Sequence, residues 1–342
     1  MRPATTIWGL LAINAALIGV GAIVAGGGDG AAGSGKKIGL VFDIGGKNDE
    51  SFNTSAWHGL EKAKDELGVQ VEFIEPSEGA DRESALRSLA ARGFDLVIGV
   101  GYLFGPTLER LAQQFPDVKF AGIDYSPTAG VGVIPNLAGL AFRENEGSYL
   151  VGAIAGLETR TKVVGFVGAL RNPLIVKFEA GYRAGVAKVC PDCRVDAAYA
   201  GTDGRAFSDP TKGAEMAAAQ FDDGADIIFH AAGKTGDGVF AAAKQRGERA
   251  IGVDLDQYPR APCCVVTSMV KGVDVAVFDV IQDVVDGRFS PGVHELGLAD
   301  KGVGFVANEQ NRRLLPLEVV RQAEALRDDI VAGRITVPKT YP

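Results

Sequence analysis

Short runs of apolar and β-branched residues recur along the chain, separated by stretches whose apolar positions return every three or four residues. The runs are IGLVFDI, VQVEFIE, FDLVIGVG, VKFAGID, GLAFRE, VVGFVGA, VDAAYAG, ADIIFHAAG, AIGVDLD and VVTSMVK. Runs that stay apolar suit strands covered on both faces, and strands alternating with helices predict parallel sheets of the α/β class. The intervening segments are amphipathic. In NTSAWHGLEKAKDELG, Trp57, Leu60, Ala63 and Leu67 share one stripe, while Glu61, Lys62, Lys64 and Asp65 face away and His58 falls on the exposed side.

Ten strands would make a broad single sheet, and their spacing is loosest between residues 142 and 163, where FRENEGSYLVGAIAGLETRTK intervenes. Two sheets are therefore expected. The first lobe is placed at 37–142 with about 270–304, and the second at 143–269 with about 305–342, so that the chain crosses between them more than once. The cleft between the lobes is then the natural place for a ligand.

Ahead of the first strand the pattern changes. Residues 7–25 (IWGLLAINAALIGVGAIVA) carry no charge, and as a helix rising ~1.5 Å per residue they would just span a bilayer core. Arg2 precedes them, so residues 1–25 fit a secretory signal or an uncleaved anchor; export with the anchor retained is the expectation. Residues 26–37 (GGGDGAAGSGKK) have the composition of a flexible linker. Everything after Lys37 is expected at the periplasmic face of the inner membrane.

With 35 Lys+Arg against 43 Asp+Glu the net charge is -8, and the basic residues form no concentrated run. Nucleic acid is excluded as a partner, because binding its backbone needs a concentrated positive surface. The four cysteines fall in two local groups, CPDC at Cys190 and Cys193 and the neighbours Cys263 and Cys264. Adjacent cysteines cannot easily both face one tetrahedral zinc, and CPDC stands in a turn rather than opening a helix. A small disulfide between Cys190 and Cys193 is the expected reading for an exported protein, with the pairing of Cys263 and Cys264 left open.

In open parallel sheets ligands sit beyond the carboxyl ends of the strands. There the sequence places Asp43, Asp124, Gly233, Asp254 and Lys271. Any one of these acids would serve as an N-cap for the following helix. Three acids and a lysine at equivalent strand ends point beyond capping, to hydroxyl and ring N–H groups that carboxylates accept. The loop IGGKNDESFN matches neither phosphate-binding glycine motif, and Asp49 and Glu50 would repel a phosphate. Phe52 and Phe207 stand in polar, glycine-containing surroundings rather than apolar stripes, which suits rings that stack on a planar ligand as well as rings that anchor a core. Phe178, in a helical setting, suits the core better. His58, His230 and His294 lie far apart, and no nucleophile-elbow or zinc-protease motif occurs. A catalytic carboxylate pair among Asp43, Asp124 and Asp254 is the enzymatic alternative.

The run DIGGKNDESFNTSAWHGL resembles the opening motif of the basic membrane protein family, purine-nucleoside-receptor-like substrate-binding lipoproteins that serve ABC transporters. The resemblance continues through VGYLFGPTLERLAQQFPDVKFAGID, FRENEGSYLVGAIAG, FEAGYRAGV, GADIIFHAAGKTGDGVF, IGVDLDQ and TSMVKGVDVAVFD to LGLADKGVG, covering nearly all of residues 37–304. It implies a periplasmic-binding-protein fold of type I, two doubly wound parallel-sheet lobes joined by hinge crossovers. It implies a base held between Phe52 and Phe207 with Asp43 and Asp124 beside it, and Gly233, Asp254 and Lys271 around a ribose. Asn48 and Asp49 stand in the polar loop of the motif, as ligand contacts or helix caps. The chain departs from the family in having no cysteine before Cys190, where a lipobox would stand. The implied function is a non-enzymatic receptor that needs no cofactor and hands a purine nucleoside to an ABC permease; a sensor ectodomain for the same ligand, or a nucleoside- or sugar-processing enzyme, are the alternatives.

Overall fold

The computed structural model describes residues 34–76 and 81–341; the segments expected to form the signal or anchor and most of the linker lie outside them. Each of the ten apolar runs forms a strand. β1 (Lys37–Val41), β2 (Gln70–Ile74), β3 (Leu96–Val100), β4 (Lys119–Ile123) and β5 (Leu137–Phe142) build one sheet, with α1 (Phe52–Leu67), α2 (Arg82–Ala91) and α3 (Gly105–Gln114) between them. β6 (Val163–Leu170), β7 (Arg194–Gly201), β8 (Ile227–Ala231), β9 (Arg249–Asp254) and β10 (Val265–Lys271) build the other, with α4 (Glu144–Glu158) leading in and α5 (Pro173–Val189), α6 (Pro210–Asp222) and α7 (Gly236–Arg246) between strands. The central strands are buried along their whole length, β3 and β8 at every position, as their unbroken apolar runs require.

The two sheets share one strand order, β2-β1-β3-β4-β5 and β7-β6-β8-β9-β10, all parallel. This is a doubly wound order whose reversal falls between β1 and β3 in one sheet and between β6 and β8 in the other, where ligands of such folds bind. After β10, α8 (Val273–Val285) packs on α1 and β11 (Gly292–Leu296) joins the edge of the first sheet beside β5. The chain then returns, and β12 (Val303–Phe305) pairs antiparallel with β10 in the second sheet before α9 (Leu317–Val331). Three passages therefore join the lobes, at 142–144, 271–273 and 296–303.

α4 and α5 lie unusually close. A Cβ on Gly152, Gly181 or Gly185 would stand 2.0–2.2 Å from a carbonyl oxygen of the facing helix, so these positions admit no side chain. Cys190 and Cys193 are bonded in the turn between α5 and β7, and Cys263 and Cys264 are bonded to each other just before β10. Beyond α9 the C-terminal segment recrosses the molecule: Asn145 Nδ2 donates to the Val337 carbonyl at 2.9 Å, and Lys339 Nζ reaches Glu295 Oε1 of β11 at 2.6 Å. Among the described residues no helix is long and apolar enough to cross a membrane.

Candidate functional site

The carboxyl ends of both sheets face a cleft of about 640 Å³, its mouth included. Asp43, Asp49, Phe52 and Asp124 line it from the first lobe, and Phe207, Gly233 and Asp254 from the second, with Lys271 at the end of β10. Asn48 does not line it; this residue is exposed on the loop before α1. Phe52 and Phe207 are both half-buried, while Phe178 is buried, packs in the core and also reaches the cleft wall. His58 is exposed, as its place on the helix predicts.

Local backbone explains why the acids point inward. Asp124 and Asp254 leave their strands with φ of +58° and +66°, left-handed values that turn the side chain off the strand's course. Gly101, following β3 at φ +117°, lies so close to Asp43 that a Cβ there would stand 2.5 Å from Asp43 Oδ2. Only glycine leaves that carboxylate its place.

The strand-end acids do not cap the helices that follow them. Asp43 accepts from the Ile44 amide at 2.8 Å and pairs with Arg82, whose Nη2 lies 2.9 Å away. Asp254 accepts from Ser51 Oγ of the other lobe at 2.6 Å. Asp124 holds the Lys271 ammonium at 2.6 Å. Capping falls instead to Asp49, in the loop before α1, whose carboxylate accepts the amides of Ser51, Asn53 and Thr54 while still lining the cleft.

Burial raises the carboxyl of Asp254 to about 6, against the opposing pull of Lys271 and the Ser51 hydroxyl. The same desolvation raises Asp43 against Arg82, Asp49 against its three amide donors, and Asp124 against Lys271. Burial alone would lower Lys271, but Asp124, Glu144 and Asp254 outweigh it and raise its ammonium above the ordinary value. The cleft thus offers a ligand several carboxylate acceptors and one firmly charged donor, between apolar rings. Several contacts join the lobes around it: besides Ser51 with Asp254, Gln257 Nε2 donates to the Glu50 carbonyl at 3.0 Å and Arg260 pairs with Glu50.

The family model of the Bmp family, described as ABC transporter substrate-binding protein PnrA-like, matches residues 36–341. The chain belongs to this family. As a Bmp-family substrate-binding protein it is 36% identical over 324 residues to the CD4+ T-cell-stimulating antigen of Listeria monocytogenes, 88% of each chain being covered. It is 30% identical over 324 residues to the ABC transporter nucleoside-binding protein BmpA of Lactococcus lactis, covering 88% of this chain and 89% of that one. Among solved structures, an ABC transporter solute-binding protein of Aeropyrum pernix superposes with a TM-score of 0.81 at 30% identity, covering 90% of this chain and 94% of that one. The fold is the two-lobe, type I periplasmic-binding fold, and the matching family, the Lactococcus lactis relative and the Aeropyrum pernix structure are described as substrate-, nucleoside- or solute-binding proteins.

This Bmp-family cleft also uses residues that the sequence pattern does not single out. Tyr102, Asn53, Ile44 and Leu174 line it, and Ser51, Arg82 and Glu144 fix the carboxylates and the ammonium from behind. Ile44, Tyr102, Glu144 and Leu174 each follow a strand by two to four residues, the one available signal; Glu144 is masked further by opening a helix from a polar turn.

Proposed function

We propose that the chain is an extracytoplasmic ABC-transporter receptor whose lobes close on a purine nucleoside and present it to a membrane permease. The base lies between Phe52 and Phe207, with Asp43 and Asp124 at its edge. The ribose meets Gly233, Asp254 and Lys271, and Asp49 holds the loop that brings Phe52 in. The lobes comprise residues 37–142 with about 272–296, and 143–271 with about 303–341, and residues 7–25 hold the protein at the membrane. One observation carries this reading: two half-buried rings, supplied by opposite lobes, line the same cleft as the strand-end carboxylates. Rings suit a planar base and carboxylates suit hydroxyl and N–H donors. The name of the Lactococcus lactis relative supports the ligand class.

Mass spectrometry of small molecules released from the purified, denatured protein tests it. A purine nucleoside is the expected species; a sugar or an amino acid in its place overturns the ligand assignment.

A further inference from the structure

Behind the cleft four charges alternate in sign. Lys271 Nζ stands 2.6 Å from Asp124 Oδ1 and 3.3 Å from Glu144 Oε1, and the other oxygen of Glu144 lies 2.5 Å from Lys177 Nζ. Glu144 is fully buried, and neither of its oxygens has a hydrogen-bond partner among the described residues; the two ammonium groups hold it as ion pairs. Neither Glu144 nor Lys177 lines the ligand cleft. Both line a neighbouring cavity that shares Tyr102, Asp124 and Leu174 with it.

We propose that Glu144 and Lys177 are positioning residues: they fix the Lys271 ammonium, and through it the Asp124 carboxylate, in the place where a ligand meets them. The path of the four charges carries this. Asp124 closes β4 of the first lobe; Glu144 opens α4 directly after the first passage between lobes; Lys271 stands directly before the second; Lys177 lies on α5. Lys177 also donates to the carbonyl of Phe142, the last residue of β5, at 3.0 Å. Both passages and both lobes are thus tied to one ammonium, which lies 4.9 Å from the ring centroid of Phe52 as well.

The fold alone gives Glu144 no reason to be charged. Desolvating a carboxylate is costly, and well-packed apolar residues commonly replace a buried ion pair without loss of stability. The charge does have an effect on Lys271. The ammonium meets both oxygens of Asp124, at 2.6 and 2.7 Å, and Asp254 also attracts it. Glu144 adds a buried counter-charge from another side at 3.3 Å, which narrows the directions in which the ammonium can turn, and Lys177 keeps Glu144 balanced.

The test uses the protein from Lys37 onward, with inosine and guanosine as probes in calorimetry and urea melts of the ligand-free protein; it rests on the nucleoside reading for its affinity arm. Glu144→Gln is expected to weaken both nucleosides about tenfold or more, the scale of an interaction with a charged group. The double variant Glu144→Gln/Lys177→Met removes one charge of each sign, so its urea stability is expected to return near that of the parent while its affinity stays low. Affinity within about twofold of the parent in either variant, or affinity that returns together with stability, overturns the proposal. Should Glu144→Gln fail to fold, the double variant carries the test. A parent that binds neither nucleoside rejects the ligand reading alone. The nitrogen resonance of the Lys271 ammonium, assigned with Lys271→Arg, then decides: a shift or loss in the double variant supports positioning by Glu144 and Lys177, and an unchanged signal overturns it.

Discussion

Asp254 is buried at a left-handed backbone position, and its carboxyl titrates near 6 rather than at its ordinary 3.8. The folded chain therefore holds a proton that the unfolded chain has released between those values. Stability tied to that proton is complete below about pH 4 and is lost as pH rises through about 6. At neutral pH the ionised group is a burden on the empty protein, worth up to roughly 3 kcal/mol for a shift of this size. Asp254→Asn, whose amide oxygen still accepts from Ser51, is expected to raise ligand-free stability near pH 7 and to weaken nucleosides by on the order of 1.5 to 3 kcal/mol, as a charged acceptor for ribose hydroxyls disappears. Nucleoside affinity of the parent should likewise fall as pH drops below about 6. Equal affinities of Asp254→Asn and parent would remove Asp254 from the site. The two phenylalanines allow a second separation. Each is half-buried, so Phe52→Ala and Phe207→Ala should cost affinity by about 1 to 3 kcal/mol through lost stacking, with ligand-free stability falling by less than the roughly 3 to 5 kcal/mol of a core cavity. Large destabilisation with unchanged affinity would make them core residues. At this scale the sequence makes Asp43, Asp124, Asp254 and Lys271 legible because a strand end is a fixed address in a parallel sheet. It hides Ser51 and Glu144, whose importance comes from partners 203 and 127 positions away, Ser51 with Asp254 and Glu144 with Lys271.

The elements follow the same logic. Eight of the ten expected strands, the central ones, are legible because burial on both faces forces apolar runs. The edge strands β2 and β7 have no buried position but still carry mostly apolar runs, VEFI and AAYA, that mark them. β11 reads GVHEL and β12 only VGF; edge strands this polar or this short carry no such run, so the pattern passes over them. Without them, the third passage between lobes is expected at about residue 304, whereas the chain leaves the first sheet after Leu296 and has joined the second by Val303. The close packing of α4 on α5 is equally quiet in sequence, since Gly152, Gly181 and Gly185 look like helix-weakening residues until the facing backbone is known. One element lies outside the described residues, the uncharged stretch 7–25. Nineteen uncharged residues are about the length a membrane-spanning segment needs. Full-length protein is accordingly expected to sediment with membranes and to stay there in high salt, while protein beginning at Lys37 stays in the supernatant. A soluble mature form beginning near residue 26 or 33 would show instead that the segment is a cleaved signal.

At the scale of the whole molecule the two lobes already touch around the cleft, through Ser51 with Asp254, Glu50 with Gln257 and Arg260, and Asp124 with Lys271. Each pair joins residues of opposite lobes, so the arrangement in which they form is the one in which Phe52 and Phe207 line a shared space. Two of these contacts, at Asp254 and at Asp124, involve carboxylates that burial has pushed upward. The closed arrangement without ligand therefore carries a desolvation cost that donors on a ligand would offset, and binding should favour closure by that differential. A ligand that binds only the folded chain stabilises it by mass action, by about 2.7 kcal/mol at a hundredfold excess over its dissociation constant. Protein beginning at Lys37 should thus unfold at distinctly higher temperature with guanosine, adenosine or inosine. The free base, which lacks hydroxyls for Asp254, should give a smaller shift at equal concentration. Ribose alone, which lacks a ring system for Phe52 and Phe207, should give less still. Equal shifts with ribose and nucleoside would mean that the rings do not hold a base, and a clear shift with a sugar or amino acid but none with any nucleoside would place a different ligand in the cleft.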